Sequence, residues 1–364
     1  MAVITRDEPE SRSTPGALSD ATQPADSPRF TLAAIPPLYL WVAGVVSVIV
    51  VLVLCLAIFG PGMEFPTTVA HVQSSDGSTS FPRSVRDVTG DAIDDATRWL
   101  TTNGRWLFEG IKDGITYALL YIERGLKWLP WPAVILGLVL ASYAVGRLSL
   151  MIFTGLAFLF IGFMGLWEPT VDTIALMVVA VALSVGIGLP LGVLGARNQT
   201  ADRIMRPILD GMQTMPSFVY LIPGILFFGL GKPAGIFATI IYAVPPVIRL
   251  TNLGIRQVSP ETVEAARSFG ASPLQILSKV QIPMALPTIM AGINQTTMMA
   301  LAMVTIASMV AAGGLGDNVL RAIQKNEVGN GVIAGLAIVF MAIVIDRLTQ
   351  AVARGRQEAL NAGH

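Results

Sequence analysis

The stretch SPETVEAARSFGASPLQILSKVQIP, residues 259–283, is too polar to cross a bilayer and too regular to be a plain connection. Ser259 suits an N-cap, with Pro260 at the first helical position and Glu261 in the first turn, where the helix dipole favours an anion. Gly270 suits the left-handed residue just past a helix end. A second start follows at Ser272 and Pro273. The helix it opens carries Leu274, Leu277 and Val280 on one face, with Lys279 in its last turn and Pro283 as its expected end. The pattern predicts two short helices hinged at Gly270, a compact angled knob that can fit a cleft in another protein.

Around this knob the chain reads as a membrane protein. Of its 364 residues 53% are apolar and 13% charged, a balance rare in water-soluble domains. Apolar runs recur at about 38–59, 131–146, 148–166, 170–195, 213–231, 234–251, 286–311 and 331–350, which predicts about eight transmembrane helices. Short cytoplasmic loops are enriched in Lys and Arg. Arg197, Arg203 and Arg206 follow the fourth run, Arg249, Arg256, Arg267 and Lys279 surround the knob, and Arg347, Arg354 and Arg356 close the chain. The knob and the C-terminus are therefore expected in the cytoplasm, and the 61–130 segment outside.

Five segments follow. Residues 1–30 are rich in Ser, Thr, Pro, Asp and Glu and read as a disordered cytoplasmic tail. Residues 31–60 carry an N-terminal transmembrane helix; a signal peptide would have a shorter run nearer the start and a cleavage site. Residues 61–130 form an extracytoplasmic segment. In it Trp99, Trp106, Ile111, Ile115, Ala118, Ile122, Leu126 and Leu129 recur at helical spacing opposite Arg105, Lys112, Asp113 and Arg124, an amphipathic helix suited to the membrane interface or to packing on the bundle. Residues 131–353 form the transmembrane domain with the 259–283 loop, and 354–364 a cytoplasmic tail.

Glu264-Ala265-Ala266, then Gly270, then Val280-Gln281-Ile282-Pro283 resemble the EAA loop of binding-protein-dependent ABC importer permeases. Val280 and Ile282 replace its Ile and Leu conservatively. The residues 210–221 (DGMQTMPSFVYL), 243–251 (AVPPVIRLT), 265–273 and 292–296 (GINQT) resemble the glycine betaine/proline type of permease, over roughly residues 130–353. The resemblance implies an all-α polytopic membrane protein of the type I ABC importer transmembrane-domain fold, in the cytoplasmic or inner cell membrane. It implies a compatible solute such as glycine betaine or proline as cargo, with choline or carnitine as alternatives. Its partners would be an ATP-binding cassette ATPase, an extracytoplasmic solute-binding protein and a second copy of the permease. Glu264, Ala265, Ala266, Phe269, Gly270, Leu274 and Pro283 would then make the ATPase coupling site.

Asn294, Thr297, Leu301, Thr305 and Ser308 form a polar stripe at helical spacing, which either lines a solute route or packs helices. Phe218, Tyr220 and Tyr242 could hold a quaternary ammonium by cation–π attraction, or pack the core or anchor at the interface, the reading favoured here because in such importers most selectivity is expected in the separate binding protein.

Other chemistries lack their residues. The histidines His71 and His364 stand far apart and Cys55 is the sole cysteine, so neither a metal site nor a disulfide is expected and no cofactor is implied. Zero net charge gives no reason to expect nucleic acid. Gly313-Gly314-Leu315-Gly316 lacks the following GK[ST] of a phosphate loop and reads as a turn or hinge. Asn198-Gln199-Thr200 and Asn294-Gln295-Thr296 match the glycosylation pattern but fall in a cytoplasmic loop and a span. A channel or ion-coupled transporter would need ionisable groups mid-span, which are few, and an enzyme would need a catalytic cluster, which is missing.

Overall fold

The computed structural model describes residues 46–51, 53, 68–73, 80–144 and 148–361, so the expected tail at 1–30 lies outside the described residues. The chain divides into two compact units, 1–89 and 90–364. In the first, residues 46–51 and 53 of the first apolar run are helical. An antiparallel ribbon pairs β1 (Thr68–Gln73) with β2 (Ser80–Ser84). This ribbon departs from the all-helical expectation, and it falls within a segment read only as polar.

Helices make up the rest: α1 (Val85–Asn103), α2 (Arg105–Trp128), α3 (Trp131–Ala144), α4 (Leu148–Phe163), α5 (Trp167–Arg197), α6 (Gln199–Thr214), α7 (Leu221–Phe228) and α8 (Lys232–Arg256). They are followed by α9 (Pro260–Ser268), α10 (Pro273–Ile276), α11 (Ile282–Ala307), α12 (Leu315–Gln324) and α13 (Val328–Asn361). The amphipathic run at 99–129 is two helices broken at Gly104. Trp99 and Trp106 are exposed, and the buried face is Ile115, Leu119 and Glu123.

Seven of the eight apolar runs fall on described residues, and all seven are helical. Length separates them. By length and composition, α5, α8, the rod Pro273–Val310 and Val328–Ala351 can each cross a membrane. Two further pairs pass together but are sharply bent, α2 with α3 by 98° and α6 through α7 by 111°, so the described residues hold four to six crossings where seven of the eight runs fall. Pro216 accounts for the second break, because a residue before proline is pushed out of the helical region, and Met215 is extended. Trp106, Tyr117, Tyr121 and Trp128 share the exposed side of α2, opposite the face that packs on α5.

The core is a helix sandwich with α8 held between α5 and α11. Small residues allow the close approach. A Cβ on Gly192 of α5 would lie 2.5 Å from the Thr251 side chain and 2.8 Å from the Ile248 carbonyl of α8, so any larger residue forces the helices apart. Phe158, Ile161, Leu176, Val304 and Met341 fill the main cluster, which draws on α4, α5, α11 and α13. Ser142 and Thr154 share a buried hydrogen bond of 2.9 Å between α3 and α4. The Gly313–Gly316 segment is a tight turn leading into α12, where the Leu315 amide donates to the Thr173 hydroxyl at 2.8 Å.

Candidate functional site

The 259–283 loop has the two helices its caps predict. The Ser259 hydroxyl accepts from the Thr262 amide, opening α9. Ser272 and Gln275 form a reciprocal capping box at the start of α10, the Ser272 amide donating to the Gln275 side chain at 2.8 Å. Between them the Ala271 amide donates to the Ala266 carbonyl and the Gly270 amide to that of Arg267, a Schellman closure around Gly270 at φ +79°. The bend therefore uses the backbone of Ala266 itself.

Pro283 does not end the second helix. Residues 277–281 widen into a π-type turn, and α11 continues at once with Pro283 in its first turn, so that Pro273–Val310 is one rod of 38 residues. Proline lacks an amide and its ring presses on the carbonyl four residues earlier. A π turn relieves both conflicts by shifting the bonding one residue along. The second helix of the knob is thus continuous with a spanning helix.

On the knob's surface Phe269 is 93% exposed and Leu274 66%. Glu264 and Ala265 are exposed as well, and among the described residues no side chain pairs with the Glu264 carboxylate. Ile276 and Leu277 face inward, Leu277 joining Ile255, Ala285 and Ile289 in a small core.

The root of the loop is held by a polar knot that the sequence did not mark. Asp202 of α6 is buried. It accepts from Asn252 at 2.6 Å and Arg206 at 2.7 Å, and pairs with Arg256 at 3.3 Å. Arg256 also donates to the Gly195 carbonyl at 2.6 Å and to Asn252 at 2.8 Å. The ends of α5, α6 and α8 are tied together three residues before Ser259. Arg206 and Arg256 stood out in the sequence only as positive charge, and Asn198, read there as part of a glycosylation pattern, is the N-cap of α6.

At the other end of the bundle Lys232 reaches the buried Glu123, and Lys127 pairs with Asp172 at 2.8 Å. Lys232 also lies 4.0 Å from Asp172, so four charges alternate across α2, α5 and α8. The hydrogen bond to Asp172 raises the Lys127 ammonium above the ordinary lysine range.

The polar stripe of α11 is largely satisfied by its own helix. The hydroxyls of Thr297, Thr305 and Ser308 donate to the carbonyls of Ile293, Ala302 and Thr305. Asn294 instead joins Asp346 and Thr349 of α13, accepting from the Thr349 hydroxyl at 2.6 Å. Tyr220 is buried, its hydroxyl donating to the Met212 carbonyl and its ring 6.1 Å from that of Tyr242, while Phe218 is exposed.

A family model for the inner membrane component of binding-protein-dependent transport systems matches residues 188–357, from the last third of α5 into α13. The permease of the Escherichia coli glycine betaine/proline betaine transport system is 47% identical over 256 residues, 70% of this chain and 72% of that one. This chain belongs to that permease family. The glycine betaine permease of Bacillus subtilis is 44% identical and is covered over 92% of its length. The glycine betaine/carnitine permease of Listeria monocytogenes is 46% identical over 258 residues. Inward-facing structures of the MetNI methionine ABC transporter align with a TM-score of 0.47 at 24% identity, covering 51% of this chain and 93% of that one. As a permease of that family the chain is a multi-pass membrane protein, and ATP hydrolysis belongs to a separate subunit.

Proposed function

We propose that this permease imports glycine betaine and closely related compatible solutes, with the 259–283 knob as its contact to the ATPase. The observation that carries the cargo assignment is the ranking of relatives. Permeases named for glycine betaine, one of them jointly with carnitine, reach 44–47% identity, whereas those named for trimethylamine N-oxide, choline or carnitine alone stand at 38%, 33% and 30% and match less of the chain. All these cargoes share a quaternary or oxidised amine head. A common path with graded selectivity fits them.

The knob lies in the cytoplasm in this reading, together with the C-terminus, because the arginines of 197–206 and 249–279 cluster there. Helix α2 then lies along the outer membrane surface, its exposed Trp and Tyr rings at the headgroups, and turns through 98° to insert as α3. ATP binding would draw two ATPase subunits together, and each would press on Glu264, Phe269 and Leu274. The rod geometry gives that push a direct route. Because α10 runs through the π turn into α11 without a flexible joint, a displaced knob carries α11 against α5, α8 and α13. The Asp202–Arg256 knot fixes the pivot, and the Asn294–Asp346–Thr349 bonds are those α11 must break to move relative to α13. An extracytoplasmic solute-binding protein delivers the cargo, and two copies of the permease enclose its path.

Reconstitution with the cognate ATPase and binding protein in liposomes tests the assignment. ATP-dependent uptake of labelled glycine betaine should exceed that of choline, carnitine and trimethylamine N-oxide at equal concentration. Uptake of choline above glycine betaine would overturn the cargo, and uptake without ATP the class.

A further inference from the structure

Resting on the cargo and orientation read above, we propose that the groove between α6 and α8 is a passage site in the cytoplasmic half of the permease, taking a small zwitterion with its carboxylate on Arg249 and its ammonium head beside Asp210. The groove is a cavity of about 320 Å³, at the lower end of the range for small-molecule sites, roughly 300–1,000 Å³. Met205 and Leu209 of α6 line it together with Ile248 and Leu253 of α8. Charged groups rim these apolar walls. Asp210 and Arg249 pair across the groove at 2.5 Å, with 66% and 38% of their side chains exposed. Arg249 stands seven residues before the last residue of α8, about 10 Å along the helix axis, so the pair lies above the knot rather than at the helix end.

An ion pair this exposed adds little to holding two helices together, so an incoming zwitterion replaces it at small cost, its carboxylate standing in for Asp210 and its ammonium for Arg249. Asp202 is different. It is buried against Asn252, Arg206 and Arg256 and is not free to exchange. Charge also decides among occupants. Arg206, Arg249, Arg256, Asp202 and Asp210 all line the groove, so both signs are present. An acyl chain would strand them, an anionic headgroup would meet Asp210, and a plain cation would meet the arginines. A zwitterion is matched on both sides. Glycine betaine is one, and choline, which lacks the carboxylate, is not. Met205 and Leu209 receive the methyl groups of the head without the aromatic cage that holds a quaternary ammonium tightly, and low affinity suits a site that must release its cargo to the cytoplasm.

Saturation-transfer NMR reads weak binding directly. It is applied to the permease–ATPase complex in nanodiscs without the binding protein, with glycine betaine and choline as probes and with empty nanodiscs and the ATPase alone as blanks. Glycine betaine should bind and choline bind more weakly. Arg249→Gln should weaken glycine betaine by roughly tenfold or more, the loss of a charge-assisted hydrogen bond, and leave choline unchanged. Arg249→Lys should recover most of the loss, and Asp210→Asn should weaken both probes, since both carry the ammonium head. In the reconstituted transporter Arg249→Gln should lower the maximal uptake rate and leave the KM, which the binding protein sets, where it was. Equal signals from the two probes, unchanged in Arg249→Gln, overturn the site. So does a loss of both probes in Arg249→Gln together with a lower melting temperature, which makes the pair a structural tie. A complex that imports glycine betaine yet gives it no signal overturns the site and leaves the cargo reading standing; a complex that imports none removes both.

Discussion

Replacing Gly270 with alanine isolates what the bend of the knob contributes. Gly270 sits at φ +79°, and a Cβ built there meets nothing within 4 Å, so the substitution adds no clash and removes no packing. What it adds is the left-handed penalty of an L-residue, about 1–2 kcal/mol. That is enough to lower the ratio of the closed Schellman geometry to its alternatives by roughly 5- to 30-fold. Asparagine tolerates the same region far better and serves as the matched control. The assay is the full transporter in liposomes, with ATP hydrolysed and glycine betaine imported measured together. Gly270→Ala should lower uptake and raise ATP consumed per solute, Gly270→Asn should lie near wild type, and the melting temperature of the isolated permease should be the same in both. Equal behaviour of the Ala and Asn variants, or wild-type coupling in both, would refute the argument from backbone geometry.

The double variant Phe269→Ala/Leu274→Ala removes two side chains that touch little of their own chain, so the permease should fold and melt as before. If these are central contacts its affinity for the ATPase should fall by roughly 30-fold or more, about 2 kcal/mol, read by co-purification and surface plasmon resonance; an unchanged affinity would move the contact elsewhere on the loop. Lys232→Met strands the Glu123 carboxylate, which is 8% exposed, and should cost about 3 kcal/mol, the lower end for a buried pair because Lys232 itself is partly exposed. Thermal melting in detergent reads this loss, and Glu123→Gln/Lys232→Met should regain most of it; a double variant as unstable as the single would mean the lysine acts through packing instead.

Much of the site was legible from the sequence because its rules are local. Ser259, Ser272 and Gly270 announce their caps and bend within four residues of the bonds they make, and the EAA spacing places Glu264, Phe269 and Leu274 on one knob. The apolar runs were legible as helices for the same reason, since a helix satisfies its own backbone wherever it lies. Three things were decided only by the tertiary structure. Pro283, a stop signal by local rule, is absorbed by a π turn, because α11 buries its flanks on α5 and α8 and gains more by continuing than by breaking. Among the described residues four to six crossings stand where seven runs were read, because whether a run of about 15 residues spans, bends or re-enters depends on what packs against it. Asp202 with Arg256, and Glu123 with Lys232, meet across 54 and 109 residues of chain. Charge pairs of that separation leave no periodic trace, since each partner has its own local helix and only the folded bundle brings the two together.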